Sequence, residues 1–195
     1  MSEFFKPLPP PPGPRIEIKE ARRPDWMGPT RGEVPGVVPA ERVIARTGEV
    51  AISLSCFWVY PAGFQFDVFV DLKDELSELD PFSFGRPSGG EDEGLLLGFQ
   101  FADGAKATNM RDDWSGMLDS TSPLLMGRGA SKSGGHSRHS FWLRPLPPPG
   151  PFEIVCEWPA AGVSLTRSEL DSHAIAEAAS RAKTIFVDNR EKAFE

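Results

Sequence analysis

Two histidines three residues apart, His136 and His139 in the stretch GGHSRHS, are the residues in this chain best suited to chemistry by type and spacing. Imidazoles ligate metals and carry protons, and such a pair could supply two ligands to an ion. A closed zinc site takes four ligands and a catalytic one usually three. No third ligand is adjacent, and Asp112, Asp113 or His173 could come close only through the fold, so the sequence names no metal site. Just upstream, GRGASKS has the glycines of a phosphate loop. There Lys132 follows Ser131 rather than glycine, and no buried strand or helix brackets the stretch, which argues against a nucleotide cradle and leaves no cofactor to expect. A Gly-x-Ser-x-Gly elbow is absent, and three scattered histidines select no partner for a serine or cysteine nucleophile. No catalytic residue is therefore assigned, and an enzyme is the less favoured class.

What surrounds the two histidines is positive charge in an acidic protein. The net charge is −7, yet Arg128, Lys132, Arg138 and Arg144 stand in a stretch without a single acid. Residues 127–139 are rich in glycine, serine and cations, and read as a mobile loop rather than a core element. With His136 and His139 gaining charge below about pH 6.5, this loop should be the most anion-attracting surface of the molecule. Arg128, Lys132, His136, Arg138 and His139 are accordingly the candidate ligand- or partner-binding residues. The competing reading is internal. Nine acids between Asp67 and Glu93 face only Lys73 and Arg86, and the two oppositely charged segments could neutralise each other. Either way, an acidic chain without a broad cationic face is a poor duplex-DNA binder.

The elements that must position these residues are mainly strands. In VAISLSCFWVY the apolar positions Val50, Ile52, Leu54, Cys56, Trp58 and Tyr60 fall every second residue, the period of a strand with one buried face. YPAG supplies a tight turn, and Phe64, Phe66, Val68, Val70 and Leu72 alternate again, with Gln65, Asp67 and Asp71 on the solvated side. Leu95, Leu97, Phe99 and Phe101 repeat the pattern before Asp103-Gly104, a second hairpin signal. SFWLR and FEIVCEW follow, separated by the prolines of 145–151, which fix φ, remove donors and make a stiff connector. In the last section Thr166 and Glu169 have capping-box spacing, and Leu170, Ala174, Ile175, Ala178, Ala182 and Ile185 form one apolar stripe, predicting a helix over 166–186.

These signals predict a mainly β fold: an antiparallel two-layer β-sandwich of about seven strands with one C-terminal helix and a proline-rich N-terminal arm. The organisation is an irregular arm over 1–40, a sandwich domain with its helix over 41–186, and a tail over 187–195. Lys6, Pro9 and Pro12 in the arm have the spacing of a polyproline ligand, but that spacing arises readily in any proline-rich segment, and a linker or docked arm is the simpler reading. Cys56 and Cys156 occupy inward positions and should be buried, unreactive and reduced, two being too few for a disulfide framework. With no apolar run of membrane-spanning length and no signal-type N-terminus, the expected compartment is the cytoplasm.

The stretches PGVVPAERVIARTGEVAI, YPAGFQFDVFV, FQFADGAKATN and LPPPGPFEIVCEWPAAGVSLTRSELD resemble a group of hypothetical bacterial proteins, over about residues 34–182. The resemblance implies no catalytic residue, ligand or partner. The Cys-x-Trp pairs do not fit an immunoglobulin pattern, in which the core tryptophan and the first cysteine lie on different strands. The functional expectation is thus a noncatalytic protein-binding or scaffolding module, with an unknown protein partner. The alternative is a small anionic-ligand binder or hydrolase that uses residues 128–144.

Overall fold

The computed structural model describes residues 27–73, 79–81, 94–110 and 122–185. The proline-rich arm before residue 27, most of the acidic stretch and the tail beyond 185 lie outside these residues. Within them the chain forms an antiparallel β-sandwich with one C-terminal helix. Five strands make one layer: β2 (Gly36–Arg46), β3 (Val50–Tyr60), β4 (Gly63–Leu72), β7 (Leu124–Ser133) and β8 (His136–Arg144), in the order β2-β3-β4-β8-β7. Four make the other: β5 (Leu96–Gln100), β6 (Lys106–Thr108), β9 (Phe152–Trp158) and β10 (Val163–Leu170), in the order β10-β9-β5-β6. A two-residue pairing of β1 (Glu33–Val34) with β11 (Lys183–Thr184) ties the two ends of the described chain together.

Alternation explains the core. Phe64, Phe66, Val68 and Val70 of β4 lie opposite Leu143, Phe141, His139 and Ser137 of β8, and these side chains face the second layer. Phe99 and Phe152 meet them from that layer. Phe66 and Phe99 pack edge to face with ring centroids 5.3 Å apart, as do Phe64 and Phe152 at 6.1 Å. The turn at Pro61-Ala62 and the hairpin at Asp103-Gly104, with Gly104 at φ 83°, form where turn chemistry predicts them. Residues 145–151 carry no regular structure between β8 and β9.

Four expectations are corrected by the backbone. In β3 the partners run Leu54↔Val68 and then Phe57↔Phe66, so one extra residue enters between them. This bulge reverses the alternation: Phe57 and Val59 turn inward, while Cys56, Trp58 and Tyr60 are only half-buried. A strict period of two cannot reveal an inserted residue.

Secondly, 163–170 is not helix. It pairs antiparallel with β9 from Val163↔Trp158 to Leu170↔Phe152, so tertiary pairing overrides the capping-box signal. The helix α1 is Ser172–Arg181, capped by Asp171, whose side chain accepts from the Ala174 and His173 amides. Its buried residues are Ser172, Ile175 and Ala178; Ala182 is the C-cap and Ile185 is exposed. Thirdly, regular structure begins before residue 40, because β2 starts at Gly36. A Cβ there would lie 2.0 Å from the Ala178 carbonyl oxygen, so only glycine lets α1 lie this close to the strand. Lastly, residues 127–139 are a hairpin of β7 and β8, not a mobile loop.

The two cysteines diverge as the bulge dictates. Cys156 is 1% exposed, and burial pushes its thiol up to about 12, whereas Cys56 is half-buried. A thiol reagent applied to the folded protein at pH 8 should label Cys56 first and leave Cys156 unmodified until unfolding. Equal rates, read by mass spectrometry, would contradict this burial.

Candidate functional site

The hairpin that carries the five candidate residues is set by its turn. Gly134, at φ 58°, and Gly135 form a two-residue connection that suits the right-handed twist of the flanking strands. Gly135 also packs against β4, its carbonyl accepting from the Leu72 amide at 2.7 Å. From there β8 alternates. His136, Arg138, Ser140 and Trp142 face the outer side of the five-stranded sheet, and Ser137, His139, Phe141 and Leu143 face the core. The candidate residues therefore fall on two opposite sides of one sheet rather than on one surface.

On the outer side, Arg138 reaches Asp67 on the neighbouring strand. Its Nε donates to Asp67 Oδ2 at 2.7 Å and a second guanidinium nitrogen lies 2.5 Å from the same oxygen. Ser140 Oγ donates to Asp67 Oδ1 at 2.5 Å. Asp67 is 1% exposed, which corrects the expectation of a solvated carboxylate. A charge so buried persists because it is both paired and hydrogen-bonded. One register step along, His136 Nδ1 sits 2.7 Å from Asp71 Oδ1, both groups exposed, and the His136 ring stacks on Phe69. Arg128 donates to the Met27 carbonyl, its guanidinium packed on Gly28, and Lys132 donates to the Leu79 carbonyl at 3.0 Å. The hairpin's cations thus bond to the chain itself.

His139 stands apart. It is 7% exposed between Val68 and Ala130, and desolvation lowers its pKa to about 4 despite the opposing pull of Asp80. It is neutral at neutral pH and adds nothing to an anion-attracting surface. The unfolded chain, with a histidine near 6.5, takes up the proton first as pH falls, so stability is full above about 6.5 and declines towards about 4. We expect the urea-unfolding free energy to fall by about 2 kcal/mol more between pH 7 and pH 5 in the native protein than in His139→Gln. Parallel pH profiles would refute the assignment.

Among the described residues no group of three or more histidine, cysteine or acidic side chains is placed to hold a metal ion. Asp112 and Asp113 lie outside those residues.

Sequence reasoning missed a second feature, on the outer face of the four-stranded sheet. There Gly98 lies between Val155 of β9 and Thr108 of β6, so the middle of the row lacks a side chain. The result is a shallow hollow of about 220 Å³, floored by Leu96 and Val155 and edged by Leu165 and Met110. Leu165 is 52% and Met110 46% exposed, so two large apolar side chains stand open at its edge. The rim is polar. Arg167 bonds Glu153 at 2.8 Å and Gln100 at 3.0 Å. A lone glycine inside an alternating strand, GLLLGFQF, was the available signal for it.

No protein-family model, curated protein or solved structure matches this chain. Among the described residues, no helix is long and apolar enough to cross a membrane.

Proposed function

We propose that this protein is a noncatalytic protein-binding module whose contact surface is the outer face of the four-stranded sheet. The observation that carries this reading is the Gly98-centred hollow with Leu165 and Met110 exposed at its edge. Its volume of about 220 Å³ is below the usual range for cofactor and drug-sized pockets, roughly 300–1,000 Å³, and suits one or two inserted side chains. An apolar centre inside a polar rim is also the anatomy of a protein–protein contact. The partner is accordingly a protein rather than duplex nucleic acid. The cytoplasm, where free Cys56 and Cys156 would stay reduced, is the compartment this reading adopts. The alternative, an anionic-ligand binder or hydrolase on 128–144, draws less support, because Arg138 is committed to Asp67 and His139 is turned into the core.

The test places a photo-crosslinking amino acid at position 165 and, as control, at Val43, which is 56% exposed on β2. In an extract of the source cells, position 165 should give one discrete adduct that Val155→Glu abolishes, and position 43 should not. The same adducts from both positions, or none from 165, would overturn the proposal.

A further inference from the structure

The outward side chains of the four-stranded sheet stand in rows. Arg167, Val155, Gly98 and Thr108 lie side by side across β10, β9, β5 and β6, with Gly98 leaving a gap next to Val155. Two residues along each strand, Glu169, Glu153, Gln100 and Lys106 form the next row. In the other direction Leu165 precedes Arg167 by two residues and Met110 follows Thr108 by two, which puts one large exposed apolar side chain on each flank of the hollow. Every row thus carries on one side what would complement its other side.

Such a face complements a second copy of itself. A twofold axis running along the strands between β9 and β5 lays β9 of one copy on β5 of the other, and β10 on β6, in the aligned manner of stacked sheets. Val155 of each copy then enters the gap over Gly98 of the other, and Leu165 covers Met110. Lys106 meets Glu169 of the second copy at both ends of the row. These two side chains take part in no ion pair among the described residues, unlike Arg167, which is held by Glu153 and Gln100. Their charges are therefore available to an opposite charge from outside.

Two features keep the pairing weak. Glu157, outward on β9 beside the axis, comes next to its own equivalent, and like charges so placed oppose the contact. The face is also small: four strands by the length of β5 is roughly 19 by 17 Å, below what a permanent dimer ordinarily buries. At the dilution of a cell extract such a dimer dissociates and leaves the face to a tighter partner.

We propose that the four-stranded face closes on the same face of a second copy in a weak twofold dimer, with Val155 seated over Gly98 and Lys106 against Glu169. This rests on the reading of that face as the contact surface and states how it is occupied when no other partner is bound. Sedimentation velocity of the full chain, over about 1 to 500 µM, should show a reversible monomer–dimer equilibrium. Leu165→Glu should weaken it at least tenfold, and Lys106→Glu and Glu169→Lys, both at exposed positions, at least fivefold each with unchanged melting temperature. An equimolar mixture of Lys106→Glu and Glu169→Lys restores opposite charges at both contacts, so it should dimerise as well as the native chain although neither variant does alone. Glu157→Gln should tighten the native dimer. A native chain that stays monomeric throughout, or a dimer that the charge variants leave unchanged and their mixture does not rescue, would overturn the proposal. A monomeric native chain whose position-165 adduct persists in extract removes self-pairing alone, whereas loss of both dimer and adduct removes the contact surface itself.

Discussion

Substituting Arg138 by Met should destabilise the protein by about 3 kcal/mol. The expectation follows from the asymmetry of the pair: Asp67 is 1% exposed, whereas the Arg138 side chain is about half exposed. Removing the guanidinium leaves a buried carboxylate with only the Ser140 hydroxyl as partner, and stranding one member of a buried pair typically costs about 3–5 kcal/mol. The exposed half of Arg138 puts this case at the lower end of that range. The controls carry the argument. Asp67→Leu combined with Arg138→Met removes both charges and should recover more than half of the loss, because an apolar pair has no uncompensated charge to bury. Lys132→Ser, which removes a bond to an exposed backbone carbonyl, should cost less than about 1 kcal/mol. Urea titrations of the three variants decide it; a small loss in Arg138→Met, or a double variant as unstable as the single, would show that Asp67 is not held as described.

Phe66→Ala should cost about 3–5 kcal/mol, a large share of the 5–15 kcal/mol that ordinarily separates folded from unfolded. Phe66 is fully buried at the centre of the aromatic cluster. It stacks on Phe141 at 5.5 Å and meets Phe57, Phe64 and Phe99 edge to face or tilted at 5.3–5.9 Å. Those rings belong to both layers, so the cavity left by truncation lies between two sheets that cannot close on it without shifting their strands. Phe69→Ala, on the opposite side of the same strand, stacks only on the exposed His136 and should cost far less. Comparable losses at 66 and 69 would contradict the assignment of inner and outer faces to β4.

The inner face of β4 was legible in the sequence because nothing interrupts its alternation from Phe64 to Val70. β3 was legible as a strand but not in its facing, since one residue inserted between Leu54 and Phe57 exchanges the two faces without altering composition. β7 was hidden for a different reason. Gly129, Ala130, Ser131 and Ser133 have neither the bulk nor the branching that marks a strand, and they are held in the sheet by the ladder to β8 rather than by their own burial. The helix signal began too early because Thr166 and Glu169 carry capping-box spacing inside a segment that β9 recruits as a strand. As for function, the cations were legible as a cluster, but their partners were not. That Arg138 would meet a buried Asp67, and that His139 would point inward, depends on a register between strands seventy residues apart. The hollow at Gly98 likewise exists only once β6 and β9 flank β5.

The most direct test of the binding-module reading is calorimetric titration of the purified partner, once identified by crosslinking at 165, into the native protein and into Leu165→Glu. Leu165 is exposed on an outer strand, so the variant should melt within a few degrees of the native protein. One-to-one binding by the native protein and at least tenfold weaker binding by Leu165→Glu, at matched melting temperatures, is the predicted result. Equal affinities would contradict it and remove the four-stranded face as the contact surface.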